Sequence, residues 1–257
     1  MGVVYLAEDV AAGQLCAVKV MRPEAAEDPA SLARFHREVD TMQRFSHPNI
    51  VAFIESGPFI DGSHSFVMEY VPGQDLDTAV REGGPLAVSY VVEVIRAACA
   101  ALEEVHAHGI VHNDIKPANL IVPANDRRGI GAKLIDFGLA QPISESDDER
   151  LGVDDGSFSG SPLYAPPEAY GGTIDYRSDI YSLGATAFHL LTGRPVFDEQ
   201  RPLAAIMAHV RKNPVSIQSL RSDVPPALEA IVMRCLEKDP RLRFQSVEEL
   251  DAALADL

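Results

Sequence analysis

Three polar clusters in an otherwise apolar chain carry side chains able to do chemistry. His112-Asn113-Asp114-Ile115-Lys116, with Asn119, places an acid, a base and an amide within one loop after a helical run. A carboxylate there can accept a proton from a hydroxyl. The lysine can offset phosphate charge, and the amide oxygen can ligate a hard cation. Asp136, followed by Phe137 and Gly138, ends an apolar run, where a carboxylate suits Mg²⁺ and phosphate oxygens. Lys19 sits inside the strand-like run Ala17-Val18-Lys19-Val20, and Glu38 in the next helical pattern is a natural ion-pair partner. Each cluster also has a plain structural reading: a capped solvated turn, a strand-ending turn and a snorkelling surface lysine. The position of Asp136 downstream of Asp114 and Asn119 weighs against the second of these.

The elements that must position these groups fall into two regions. Residues 3–9 and 15–21 read as strands around a hairpin turn at residues 11–14. Asp28-Pro29 opens a helix with Leu32, Phe35, Val39 and Met42 on one face, and His47-Pro48-Asn49 stops it. Residues 50–55 and 65–70 read as two more strands. After the connector Val71-Pro72-Gly73 the patterns become helical, over 88–108, 177–192, 203–212, 226–238 and 246–257. A short strand pair is expected near 120–122 and 133–135, then a long polar loop over 141–160. The predicted fold class is α+β. A small antiparallel β-sheet lobe with one helix (1–70) joins a larger, mainly α-helical lobe (74–257) through a hinge at 71–73.

Taken together, these residues resemble the protein-kinase signature set, and the order of the motifs matches as well. The resemblance implies a bilobal kinase fold and phosphorylation of serine or threonine hydroxyls on a protein substrate. The implied cofactors are ATP and Mg²⁺, with Mn²⁺ able to replace it. In that scheme Lys19 holds the α- and β-phosphates and Glu38 pairs with it. Asp114 is the catalytic base, assisted by Lys116 and Asn119, and Asn119 and Asp136 hold the metal. Pro166-Pro167-Glu168 closes the activation segment, Asp179 braces the catalytic loop from below, and Arg243 partners Glu168. Gly2 is the last glycine of the phosphate loop. Val4, Ala17 and Ile121 sandwich adenine, Met68 is the gatekeeper, and Glu69 and Val71 offer hinge backbone groups. Met42, Phe53, Phe137 and His112 form an apolar column between the lobes, although plain core packing fits the same positions. Lys116 and Gly160-Ser161-Pro162-Leu163-Tyr164 point to the serine/threonine class, and the segment resembles bacterial kinases of the eukaryotic-like type.

Departures from the pattern define the alternatives. Only Gly2 and Val4 of the glycine-rich loop are present, so the resemblance places a first strand and two glycines ahead of this sequence. Without them one sheet edge is uncovered and the grip on phosphate weakens. That feature supports a pseudokinase, a binding or scaffolding module, as the alternative. A small-molecule phosphotransferase would lack the platform at 160–168. Asn113 stands where many relatives carry an arginine that pairs with loop phosphate. The stretch 144–155 is rich in Asp and Glu, which predicts regulation by something other than phosphorylation there. Pro166 in place of Ala and a long loop at 123–131 remove no ligand.

Bulk properties narrow the partners. With 38 acidic against 22 basic residues, the formal charge is −16, which repels nucleic acid and anionic lipid. Cys16, Cys99 and Cys235 lack metal-type spacing and read as reduced thiols of a cytoplasmic protein. The N-terminus has no signal-peptide pattern, and no membrane span is legible, since Glu93, Arg96, Glu103 and Glu104 interrupt the most apolar run. An anchor outside these residues is compatible with all of this.

Overall fold

β1 (Gly2–Asp9) and β2 (Gln14–Met21) form the first hairpin. Asp9 closes its turn, accepting at Oδ1 from the Ala11 and Ala12 amides, and Gly13 supplies the φ of 64°. The structure is a computed structural model describing residues 2–124, 131–143 and 160–257. After the short α1 (Pro23–Ala26), α2 (Pro29–Met42) starts where Asp28 caps the Ala30 and Ser31 amides and Pro29 takes the first helical position. Its buried face, Phe35, Val39 and Met42, packs toward the sheet, with the Phe35 and Phe66 rings 5.5 Å apart. β3 (Phe53–Pro58) and β4 (His64–Glu69) complete an antiparallel sheet of order β1-β2-β4-β3.

The larger lobe begins with β5 (Gly73–Asp75), which pairs with β7 (Leu120–Pro123), itself paired with β8 (Lys133–Leu134). Glycine is required at 73, because a Cβ there would lie 2.0 Å from the Val122 carbonyl oxygen. α3 (Leu76–Gly83) follows, capped by Asp75. α4 (Val88–Ala107) leads to β6 (Ile110–Val111), which pairs with β9 (Gln141–Pro142). α5 (Tyr176–Thr192) is buried along most of its length and opens on an Asp175–Ser178 capping box. α6 (Pro202–Arg211), α7 (Pro226–Cys235) and α8 (Val247–Ala255) complete the lobe. Among the described residues, no helix is long and apolar enough to cross a membrane.

Local pattern and structure part company in several places. The strand expected from Ile50 begins at Phe53. Val51 instead donates to the Leu134 carbonyl at 3.0 Å, and Leu134 donates to the Asn49 carbonyl at 2.7 Å. An apolar run does not reveal which sheet it joins, and this one crosses to the other lobe. The first long helix ends at Met42, ahead of His47. Sequence reading missed α3, although Leu76, Ala79 and Val80 stand at helical spacing behind the Asp75 cap, because the pattern lasts only about two turns. α7 stops at Cys235, short of Lys238, and the carbonyls of Glu237 and Lys238 turn to Arg243.

Candidate active site

The sheet's two-residue period sets Lys19 and Ala17 of β2 on one face, with Val4 opposite Lys19 and Met68 opposite Ala17. Below that face, Lys19 Nζ lies 2.5 Å from Glu38 Oε1 and 3.2 Å from Asp136 Oδ1. α2 brings Glu38 there with its side chain buried. Burial lifts the Glu38 carboxyl to about 7, against the opposing pull of Lys19. Burial alone would lower Lys19, yet the Asp136 and Glu38 carboxylates outweigh it and hold the ammonium above its ordinary value. Asp136 moves the other way. Burial raises it, but Lys19 and the Gly138 amide bring it below the usual carboxylate range. Asp136 takes a φ of 65°, a conformation side chains rarely adopt and one that collects at functional positions.

The loop after β6 assembles around Asp114. Lys116 Nζ donates to Asp114 Oδ2 at 2.6 Å, and Asn119 Nδ2 donates to the same oxygen at 3.1 Å and to the Asp114 carbonyl at 2.8 Å. The other oxygen, Oδ1, is buried without a hydrogen-bond partner among the described residues. Buried acceptors are seldom left unpaired, so this one suits a ligand hydroxyl. The Asn119 nitrogen is committed to Asp114, and the amide oxygen is the atom a hard cation would take. A cavity of about 340 Å³ joins the two groups, its walls including Gly2, Lys19, Glu38, Asp114, Lys116 and Asp136.

Asp179 on α5 holds this loop from beneath. Its Oδ2 accepts from the His112 amide and its Oδ1 from the Asn113 amide, both at 2.9 Å. His106 Nε2 also meets Oδ2 at 2.9 Å, a partner that sequence reading missed because nothing in a helical pattern marks it. Asn113 sits at φ 64°, which asparagine tolerates, and its amide reaches the Val111 and Leu139 carbonyls. His112 is fully buried, accepts the Asp114 amide at Nδ1, and is held below its ordinary pKa by burial. Its ring lies 5.0 Å from Phe137, whose other neighbour is Phe45 at 5.2 Å. Phe45 was missed as well; Phe53, assigned to this column, has its ring 6.5 Å from Phe66.

The groups expected around adenine sit on surrounding elements rather than on the walls of that cavity. Val4 is 55% exposed on β1, Ala17 and Val71 are buried, and Ile121 is half-buried on β7. The Glu69 amide already donates to the Ala52 carbonyl at 2.8 Å. Its carboxylate is held by Lys133 Nζ at 2.8 Å.

Residues 160–168 border the site. Lys116 Nζ donates to Ser161 Oγ at 2.8 Å, tying the segment to Asp114. Tyr164 Oη meets His189 Nδ1 at 2.7 Å, and Ser182 Oγ donates to the Tyr164 carbonyl at 2.9 Å. Glu168 forms a two-pronged pair with Arg243, at 2.7 and 2.8 Å. The acidic stretch 144–155 and most of the loop at 123–131 lie outside the described residues.

Beneath this segment His209 is 1% exposed, and burial lowers its pKa to about 4. Between the ordinary pKa near 6.5 and that value the unfolded chain binds a proton that the folded chain refuses. Stability is therefore lost as the pH drops through this window, by up to about 3 kcal/mol from this residue. Denaturant midpoints from pH 7 to pH 4 should drop less steeply in His209→Gln than in the wild type. Parallel curves would contradict this.

The comparisons agree with the geometry. A protein kinase domain profile matches residues 1–253. Serine/threonine-protein kinase PknB of Mycolicibacterium smegmatis is 38% identical over 264 aligned positions, covering 99% of this chain and 40% of that protein. PknB of Mycobacterium tuberculosis is 36% identical with the same coverage. The chain thus spans about two fifths of these relatives' length. The crystal structure of a point mutant of the Mycobacterium tuberculosis PknI kinase domain superposes with a TM-score of 0.74 at 30% identity, covering 100% of this chain and 90% of that one. With a two-lobed α+β fold and a profile match over nearly its whole length, the chain belongs to the protein kinase family, and its relatives are bacterial serine/threonine kinases.

Proposed function

We propose that this chain transfers the γ-phosphoryl group of ATP to serine or threonine hydroxyls of proteins. The observation that carries the reading is the buried Asp114 Oδ1, which has no hydrogen-bond partner among the described residues, on a residue that lines one cavity with Lys19, Lys116 and Asp136. An acceptor hydroxyl placed there hydrogen-bonds to Oδ1 and gives up its proton to it as its oxygen bonds to phosphorus. The bond from the γ-phosphorus to the bridging oxygen breaks, and ADP leaves with that electron pair. Lys116, paired with Asp114 Oδ2, orients the carboxylate and offsets charge on the phosphoryl oxygens. Lys19, kept cationic by Glu38 and Asp136, is placed to hold the remaining phosphates. The donor set fits Mg²⁺: Asn119 and Asp136 offer one amide oxygen and one carboxylate, and when bound the ion neutralises phosphate charge. The incomplete glycine-rich loop is the one feature on the side of the scaffold alternative; against it, the acid, both lysines and Asp136 line one cavity, and Asn119 is bonded to Asp114.

Incubation with γ-labelled ATP and Mg²⁺ tests the reading. Label should appear on serine and threonine of a protein acceptor and be absent from tyrosine. No label transfer by the wild-type protein would overturn it. Lys19→Met should lower kcat/KM for ATP by about 10²-fold, the order expected when one charge-assisted contact to phosphate is lost. Steady-state kinetics at varied ATP would show this, and an unchanged value would remove Lys19 from the phosphate site.

A further inference from the structure

Proposed phosphotransfer leaves unused a line of polar groups under residues 160–168, half-buried at Lys238 and buried at Tyr181 and His209. Lys238 Nζ donates to Tyr181 Oη at 3.3 Å and lies 5.0 Å from the Phe197 ring centroid. Tyr181 Oη meets His209 Nδ1, and His209 Nε2 meets the Leu163 carbonyl oxygen, each at 2.9 Å. One arrangement of hydrogens satisfies all three contacts. A carbonyl only accepts, so the imidazole proton is on Nε2. A neutral ring then accepts at Nδ1, so the phenol donates, and the phenol oxygen accepts from the ammonium. The result is a one-way chain of hydrogen bonds from the end of α7, through α5 and α6, to a backbone carbonyl. Tyr181 and His209 are buried, a setting where apolar side chains would fill the space without needing partners.

The chain ends at a functionally placed point. Leu163 lies two residues after Ser161, whose hydroxyl takes Lys116, which in turn holds Asp114. The Tyr164 amide donates back to the Ser161 carbonyl at 3.0 Å, closing a turn between them. We propose that His209, backed by Tyr181 and Lys238, is a positioning residue for the acceptor peptide, fixing the Leu163 carbonyl and hence the platform beside Asp114. This rests on the kinase reading above. The chain touches neither Lys19 nor Asp136, so its loss should weaken peptide use and spare ATP.

The test compares His209→Leu, His209→Gln and Tyr181→Phe in the full-length protein, with dephosphorylated β-casein as the acceptor probe. Gln can both donate to Leu163 and accept from Tyr181, whereas Leu fills the space and does neither. His209→Leu should raise the KM for casein about tenfold and leave the KM for ATP within about twofold, with His209→Gln restoring most of the loss. Hydrogen exchange without ligands should show the amides of Ser161 and of Leu163, Tyr164 and Ala165 exchanging about tenfold faster in His209→Leu and near wild type in His209→Gln. An unchanged casein KM in folded His209→Leu, or an equal rise in both KM values, would overturn the proposal. If His209→Leu does not fold, Tyr181→Phe, which removes only the hydroxyl, carries the test with an expected rise of about threefold. Failure of the wild type to label casein would instead overturn the kinase reading. The exchange comparison then decides the tether alone, and equal rates overturn it.

Discussion

Asp114→Asn is expected to lower kcat for protein phosphorylation by about 10²–10⁴-fold, the range a positioned general base supplies, with little change in the KM for ATP. The substitution keeps shape. An asparagine oxygen in the place of Oδ2 still accepts from Lys116 and Asn119, so the loop and its Asp179 brace stay assembled. What changes is the atom in the place of Oδ1, which becomes an amide NH₂ and cannot take a proton. The effect should therefore fall on the chemical step, leaving ATP binding and the melting temperature close to wild type. Steady-state kinetics at saturating ATP, with a thermal melt as the folding control, measure both. A kcat within threefold of wild type would remove Asp114 from the base role.

Arg243→Met should cost about 3–5 kcal/mol of stability, the cost of breaking a buried ion pair from one side. Arg243 is 1% exposed. Its Nε donates to the Glu237 carbonyl, Nη1 to Glu168 and the Arg177 carbonyl, and Nη2 to Glu168 and the Lys238 carbonyl. Every guanidinium hydrogen thus has a partner, which makes the side chain a buried clamp between residue 168, α5 and the end of α7. Methionine fills much of the volume but removes the cationic partner of the Glu168 carboxylate and the guanidinium donors to those carbonyls. For a domain of this size the loss corresponds to a fall in melting temperature of about 10 °C. Because Ser178 Oγ would be the remaining side-chain donor to Glu168 among the described residues, pairing the change with Glu168→Gln should recover part of the loss. Additive effects in that double variant would show that the two side chains do not act together.

Groups set by near neighbours were legible in the sequence. The first hairpin, with its turn expected at 11–14, the Asp28 start of α2, the apolar stripe Phe35-Val39-Met42 and the acid, base and amide after β6 all follow from contacts a few residues apart. Their order along the chain was enough to name the family and to nominate Lys19, Asp114, Asn119 and Asp136, because a side chain's chemistry and its sequence spacing need no fold to be read. Meeting in space was another matter. Lys19 reaches an aspartate 117 positions away, which no spacing marks, whereas the pair of Arg243 and Glu168, 75 positions apart, was supplied by the family resemblance. Periodicity marks a face as buried without saying what it meets, so it did not predict the Ile50–Leu134 crossing. Nor did it single out Phe45 as the neighbour of Phe137. Histidines were the least legible. His106 and His209 occupy ordinary helical positions, yet one ring ends against the Asp179 carboxylate and the other under the Leu163 carbonyl. Residue types and their order determined which chemistry this protein carries. Only the tertiary structure decided which oxygen of Asp114 is committed and which lacks a partner among the described residues, and which side chains lie under the segment beside it, because those facts depend on long-range packing that brings together groups the sequence keeps far apart.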